Sequence, residues 1–233
     1  MDKIDAVILC GGLGKRLRSV VGESQKTLAQ VGDRPFLDVL IEDLKAQGLK
    51  RVILCTGFKA KDVEDYYRRH THGLTIEFSS EEEPLGTGGA LKNAQHFVRS
   101  NPFLAFNGDS YCKVDLKSLL KAHQLQKSLA TLVISKVKNA KDYGTIVLAQ
   151  DRRIVEFREK DSAVKEAYVN AGVYCLEQTI FSLMPQTKKF SIEIDVFSKL
   201  VTKNLCGFVV DEQFFDIGTP ERYSQAKKTL GKG

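Results

Sequence analysis

The chain has 233 residues, 42% of them hydrophobic and 27% charged, which is enough apolar material for a sizeable core and excludes a disordered or collagen-like polymer. Its 35 basic and 29 acidic side chains leave a formal charge of +6, a sign that suits nucleic acid, membrane surfaces or small polyanionic substrates. Distribution argues against the first: the basic residues are scattered, the pair Arg68, Arg69 is short, and the acidic run Glu81, Glu82, Glu83 follows it, so no basic stripe interleaved with aromatics offers a nucleic-acid surface. No stretch approaches the roughly 18 consecutive apolar residues of a bilayer span, and the start of the chain lacks a basic segment followed by a long apolar run. A soluble, cytoplasmic protein without a membrane partner is expected. Cys10, Cys55, Cys112, Cys175 and Cys206 are odd in number and contain no CxxC pair, which predicts core thiols in place of a disulfide framework or a zinc site.

Taken in chain order, short β-branched runs alternate with longer amphipathic segments. Strand signals at residues 6–10, 51–56, 74–78 and 103–107 are separated by helix signals at 36–46, 60–69 and 89–99, the rhythm of parallel strands joined by crossover helices. After a helix at 116–126 the pattern changes: 130–137, 144–149, 154–159 and 168–176 read as strands with little helix between them, and Asp151, Arg152 supplies a hairpin turn. A helix at 190–201, strand material at 207–215 and a helix at 220–230, opened by Pro220 in its first turn, complete the chain. No linker and no internal repeat interrupts it. The expected fold is therefore α/β, with a Rossmann-like doubly wound, mostly parallel mixed sheet and an antiparallel extension, as one domain over residues 1–233. Ligands of such sheets sit beyond the carboxyl ends of the strands, where chemistry is to be sought.

Gly11, Gly12, Leu13, Gly14, Lys15, Arg16 and Leu17 follow directly on the first strand and Cys10. Glycines let backbone N–H groups approach phosphate oxygens, and Lys15 and Arg16 add full positive charge beside those dipoles. A dinucleotide-binding GxGxxG fails because Leu17 stands where the third glycine belongs, and a P-loop fails because Leu9 and Arg16 occupy its first glycine and its Ser/Thr position. A tight turn whose basic residues face water would use the same residues. Two carboxylates, Asp109 and Asp216, each stand where a strand gives way to a turn; they fit helix caps, or a magnesium ion that keeps several waters and takes few protein ligands. His70, His72, His96 and His123 have no metal-binding spacing and read as structural.

The run 9–17, with Lys26 beyond it and Arg34, Pro35, Phe36, Leu37 after that, resembles the signature of sugar-1-phosphate nucleotidylyltransferases: GGxGxRL, then Pro-Lys, then a basic-Pro-hydrophobic start to a helix. The resemblance implies that Gly11, Gly12 and Gly14, with Lys15 beside them, embrace a triphosphate, that Arg16 binds its outer phosphates and that Lys26 approaches the phosphates that react. The sequence departs from the pattern at Gln25, where the family usually has proline. Residues 85–90 (LGTGGA) resemble the segment that passes along the nucleobase, which implies a base contact by Gly88 and base reading by Glu83. The family's GD and DxGTP motifs match Gly108, Asp109 and residues 216–220, implying Asp109 and Asp216 as Mg2+ ligands and Gly108 as part of the nucleotide site.

Three further matches keep the family's order. Tyr143, Gly144 is similar to the YG that lines the sugar pocket; Phe157, Arg158, Glu159, Lys160 is similar to FxEK, where the glutamate holds sugar hydroxyls and the lysine the sugar phosphate; and Asn170 opens a segment similar to NAGxY, whose asparagine contacts the sugar. Glu193 stands where the family often has an acid near the sugar, and with Asp195 it also suits the N-terminus of a helix electrostatically. The implied activity is transfer of a nucleoside monophosphate from a nucleoside triphosphate to a sugar 1-phosphate, with Mg2+ as cofactor. Within the family the resemblance is strongest to D-glycero-D-manno-heptose 1-phosphate guanylyltransferases, through residues 17–21, 107–116 and 215–223, and implies GTP and a heptose 1-phosphate as substrates. A uridylyltransferase acting on muramate or glucose phosphates is the rival within the enzymes. A non-catalytic nucleotide-sugar-binding regulatory subunit is the rival outside them, and such proteins commonly lose a metal carboxylate or the phosphate-binding arginine, whereas Arg16, Asp109, Lys160 and Asp216 are all present. The stretch after Asp216 is too short for an appended acyltransferase domain, and a homo-oligomer stays open.

Overall fold

The first strand, β1 (Asp5–Leu9), sends Ala6 and Ile8 to one face of a sheet and Val7 to the other, and all three are fully buried. A strand apolar on both faces needs a layer on each side of it. In the computed structural model, which describes the chain except residues 23, 139, 141, 142, 160–165, 202, 203, 232 and 233, those layers are helices. In order there follow α1 (Arg18–Val21), the short strands β2 (Gln30–Val31) and β3 (Arg34–Pro35), α2 (Phe36–Ala46), β4 (Arg51–Thr56), α3 (Ala60–Arg69), β5 (Thr75–Ser80) and α4 (Gly86–Asn93). Then come β6 (Phe103–Asn107), β7 (Ser110–Cys112), α5 (Leu116–Gln126), β8 (Ala130–Val137), β9 (Thr145–Leu148), β10 (Ile154–Arg158) and β11 (Ala167–Leu176). The last elements are α6 (Ser198–Leu200), β12 (Leu205–Val210), β13 (Phe214–Asp216) and α7 (Pro220–Leu230).

The sheet is mixed, as the change of rhythm predicts. β4 and β6 flank β1 and β5 lies beyond β4, all parallel, while β11 runs antiparallel to β6, β8 and β9. β12 pairs parallel with β8, and β9 and β10 form the expected hairpin, with Arg152 at φ 69° in its turn. The ten-residue β11 is the branch point, and its register shifts between Asn170 and Tyr174. Gly172 lies in that shift at φ 72°, and a Cβ there would meet the Asn107 side chain at 3.0 Å, so this left-handed glycine lets β11 press against the end of β6.

Helix boundaries follow local chemistry. Asp115 caps α5 by accepting from the N–H groups of Lys117 (3.0 Å) and Ser118 (3.3 Å), and Thr219 caps α7 ahead of Pro220, each cap contributing about 1 kcal/mol. The helix expected at 89–99 instead begins at Gly86 and gives way to a 3-10 turn, Gln95–Phe97. The helix expected at 190–201 is a π-turn, Glu193–Phe197, running into α6. Phe190 is excluded because its backbone is spent elsewhere: its N–H donates to the Leu85 carbonyl (3.0 Å) and its carbonyl accepts from Gly88 (3.0 Å) and Gly89 (3.3 Å). Strand material expected at 207–215 divides into β12 and β13 because the two belong to different sheets, β13 pairing antiparallel with β7 in a separate ribbon. All five cysteines are buried and free, and no helix among the described residues is long and apolar enough to cross a membrane.

Candidate active site

The ribbon of β7 and β13 explains how two acids 107 positions apart become neighbours. Asp216 lies opposite Ser110 in its register, and the Ile217 N–H donates to the Asp109 carbonyl at 3.0 Å. Beneath it a small core of Leu17, Val31, Phe36, Phe215, Ile217 and Tyr223 fastens the ribbon to the glycine-rich turn and to α7. The turn itself is held by the segment that follows β4: the Phe58 N–H donates to the Gly11 carbonyl at 3.0 Å. Gly14 has φ 58°, a conformation that glycine takes freely. Arg16, Lys15, Gly14, Lys26 and Gly218 line a cavity of about 120 Å³. Gly12, Lys15 and Arg16 are exposed at its side. The basic groups of the turn thus share one concavity with Gly218, which follows directly on the carboxylate-bearing ribbon.

Lys26 pairs with Asp109 directly, its Nζ against Oδ2. Burial pushes the Asp109 carboxyl pKa up, but the Lys26 ammonium beside it outweighs that and holds it below the ordinary carboxylate value. Asp216 accepts from Tyr143 Oη at 2.5 Å and Arg222 Nη1 at 3.0 Å on one oxygen, and from the Gly218 N–H at 2.9 Å on the other. Burial and that bond to Asp216 push the Tyr143 phenol up to about 12, so it is a hydrogen donor at neutral pH. Two carboxylates with hard oxygen donors on adjoining strands match the ligand type and the small ligand number of a magnesium ion. Tyr143, expected to line the sugar pocket, is bonded here to Asp216; that pairing and the presence of Arg222 beside it carry no local mark in the amino-acid sequence.

Around Asn170 and Glu193, both expected near a sugar, Tyr174 is the hub. Fully buried, its hydroxyl accepts from Asn170 Nδ2 (2.9 Å) and Asn107 Nδ2 (3.4 Å) and donates to Glu193 Oε1 (3.3 Å). Glu193 Oε2 in turn accepts from the hydroxyls of Thr87 and Ser191, each at 2.6 Å. Both oxygens of Glu193 are therefore engaged inside the protein, which makes it a brace between α4 and β11. The Asn107 Oδ1 is buried without a partner. Glu159 is exposed beside Thr145, Glu166 and Tyr168 at a cavity of about 440 Å³, and Gly144 is exposed between Tyr143 and β9. Lys160, expected to hold the sugar phosphate, lies outside the described residues.

Three other expectations change. Gly88 is buried, its N–H donates to Phe190, and a Cβ there would meet the Phe190 ring at 2.3 Å, so packing accounts for this glycine and its N–H is not open to a base. Gly108 is likewise buried against the end of β1, where a Cβ would lie 3.0 Å from the Leu9 carbonyl oxygen. Of the acidic run it is Glu81, not Glu83, that turns to the glycine-rich turn: its Oε1 lies 2.9 Å from where a Cβ of Gly11 would be and 2.5 Å from that of Gly57. Glu83 is exposed on a cavity of about 730 Å³, which Glu81, Leu85 and Lys92 also line. Burial pushes the Glu81 carboxyl pKa up, offset in part by the Leu85 N–H that it accepts. Spacing alone does not separate Glu81 from Glu83; the Glu81 N–H donates to the Thr56 carbonyl at 2.8 Å, which extends the pairing with β4 one residue past β5.

The profile of the family described as nucleotidyl transferase matches residues 5–233. A D-glycero-alpha-D-manno-heptose 1-phosphate guanylyltransferase from Aneurinibacillus thermoaerophilus is 40% identical over 228 residues, covering 97% of this chain and 98% of its own. The protein of the same description from Campylobacter jejuni is 35% identical over 220 residues, 94% of this chain and 97% of its own. Among solved structures, HddC from Yersinia pseudotuberculosis, crystallised in complex with GMP-PN, superposes with a TM-score of 0.87 at 35% identity, over 97% of this chain and 99% of that one.

Proposed function

The chain belongs to the nucleotidyl transferase family, and on that footing we propose that it transfers GMP from GTP to D-glycero-α-D-manno-heptose 1-phosphate with release of pyrophosphate. An oxygen of the sugar phosphate, already anionic near neutral pH, forms a bond to the α-phosphorus as the bond to the β-phosphate oxygen breaks in line with it. No general base is required. The protein's task is to hold two polyanions together and to neutralise charge gathering on the leaving pyrophosphate. Arg16 and Lys15 serve the outer phosphates, Lys26 the reacting ones, and the turn of Gly11, Gly12 and Gly14 offers backbone N–H groups. Asp109 and Asp216 would hold Mg2+, which when bound supplies further neutralisation of phosphate charge. Lys160 and Glu159 bind the sugar phosphate and hydroxyls, and Tyr143, Gly144 and Asn170 shape the pocket.

The observation that carries this reading is the meeting of Asp109, Lys26 and Asp216 beside the cavity of the glycine-rich turn. GTP as donor has its own support in Glu81. Guanine presents two adjacent donors, N1–H and N2–H2, to a carboxylate, whereas uracil flanks its single N–H with two carbonyl oxygens that a carboxylate repels. The names of the Aneurinibacillus and Campylobacter relatives point to the same donor and to the heptose phosphate. Pyrophosphate release with each of the four common triphosphates against heptose, mannose and glucose 1-phosphates tests the reading. Turnover is expected with GTP and the heptose phosphate; turnover with UTP alone would overturn the donor, and silence across the panel would favour a binding protein without catalysis.

A further inference from the structure

Gln25 stands at the position where the sequence pattern has proline, and only 1% of it is exposed. A buried amide must find partners. Its Nε2 donates to the carbonyl of Cys10, at the root of the glycine-rich turn. Its Oε1 accepts from both the backbone N–H and the hydroxyl of Thr27, each at 2.5 Å. The backbone at Gln25 has φ −66° and ψ 128°, a conformation that proline adopts unaided. Gln25 thus keeps the shape that proline imposes and adds a tether that proline lacks. One end of the tether is Cys10; the other is the single 3-10 turn Lys26–Leu28, which is too short to hold its own conformation. From that turn the Lys26 stem runs along the glycines, its Cβ 3.2 Å from where a Cβ of Gly14 would lie and its Cε 3.7 Å from that of Gly12, to reach Asp109.

We propose that Gln25 is a positioning residue: its amide fixes the Lys26 turn against Cys10 so that the ammonium stays between the glycine-rich turn and Asp109. The inference rests on the function proposed above, in which Lys26 serves the reacting phosphates. A lysine stem is flexible, so the anchoring of its backbone decides where the charge sits, and a misplacement of about 1 Å in a catalytic group costs about 10²-fold in rate.

The test compares wild type, Gln25→Ala, Gln25→Pro, Lys26→Ala and the double variant Gln25→Ala/Lys26→Ala in steady-state pyrophosphate release with GTP and the heptose phosphate. Gln25→Pro keeps the backbone angle, so its thermal midpoint stays near wild type while the tether is gone. Both Gln25 variants are expected to lose about 10-fold in kcat with a smaller change in KM, and the double variant to be no slower than Lys26→Ala, because a residue that acts through Lys26 has nothing left to position. Full kcat in both Gln25 variants overturns the proposal, and so do losses that multiply in the double variant. Reductive methylation of lysines, read by peptide mass spectrometry, needs no turnover: Lys26 should be labelled several-fold faster in Gln25→Ala and Gln25→Pro than in wild type, and equal rates overturn the tether. Wild type silent towards every triphosphate would count against the proposed function, while the labelling rates would still decide the tether.

Discussion

The two halves of the site are made of different bonds. On the glycine-rich side the contacts are between full charges: Lys26 with Asp109, Arg222 with Asp216, and exposed Arg16 and Lys15 beside them. On the sugar side hydroxyls and amides converge around one carboxylate, with Tyr174 at the centre and Glu193 satisfied by Tyr174, Thr87 and Ser191. Partly exposed charges are strongly hydrated and screened, and they exchange partners readily. A closed network of buried hydrogen bonds does not, because each donor or acceptor left alone carries its full desolvation cost. The charged half is therefore suited to trading internal ion pairs for phosphates, and the neutral half to presenting a fixed floor to a sugar. Thr87 closes the neutral network: its hydroxyl donates to Glu193 and accepts from the Ile192 N–H at 3.0 Å.

The sharpest way to break this contrast is at the carboxylates. Asp109→Ala and Asp216→Ala are each expected to lower kcat by about 10²- to 10³-fold, since each removes a carboxylate that would hold Mg2+, and to lower stability in urea as well, since Lys26 and Arg222 lose their partners. Near-wild-type turnover in either would deny that carboxylate its role. Next in size is Glu81→Gln, which turns one of the two acceptors proposed for guanine into a donor. A charge-assisted hydrogen bond contributes about 1.5–3 kcal/mol, so kcat/KM for GTP should fall about 10- to 100-fold with no comparable loss for UTP. Equal losses for both triphosphates would remove Glu81 from base reading.

Tyr174→Phe probes the neutral half. It leaves the Asn170 amide and Glu193 short of a partner and should lower stability by about 1–2 kcal/mol in urea titration, with KM for the sugar phosphate rising more than KM for GTP. A selective rise in the GTP KM would invert the assignment of the two halves. The smallest effect lies away from both. His123 is buried between Thr131 Oγ1 (2.9 Å) and Glu177 Oε1 (3.2 Å); burial lowers its pKa, and the Glu177 carboxylate only partly restores it. A histidine lowered in the folded state favours folding fully above its unfolded pKa of about 6.5, and that contribution is lost as pH falls through the folded pKa. Unfolding free energies measured from pH 8 to pH 5 should decline below about pH 6.5 in wild type and less so in His123→Asn. Parallel pH profiles would show that His123 does not titrate on unfolding.

How much of this was legible in advance depended on the range of the physics involved. Helices α2, α3, α5 and α7 fell where local signals put them, because a 3.6-residue apolar stripe and a cap such as Asp115 act within a few residues. The helix expected at 190–201 starts two residues late and takes π geometry over Glu193–Phe197 for the opposite reason: the Phe190 backbone is hydrogen-bonded to Leu85, Gly88 and Gly89, a hundred residues earlier, and no window over 190–201 contains them. Among the site residues, Gly11 to Arg16, Asp109 and Asp216 could be picked out by their residue type and place after a strand. Gly88 and Gly108 were picked out too, yet packing against Phe190 and the Leu9 carbonyl is enough to require them. Arg222, the turn of Glu81 towards Gly11 and the bond between Tyr143 and Asp216 carried no local mark.

The amino-acid sequence by itself determined the alternation of strands and helices, the glycine-rich turn, the two acids at strand ends and the family signature, since each rests on residue type and short spacing. Only the tertiary structure decided that Asp109 and Asp216 meet across a ribbon, that Lys26 reaches Asp109, that Glu81 turns to Gly11, and that Gln25 does more than replace a proline. These are pairings over 15 to 107 positions, between groups whose chemistry has many equivalent partners in the chain. Strand register and burial, which exist only once the sheet has assembled, select among them.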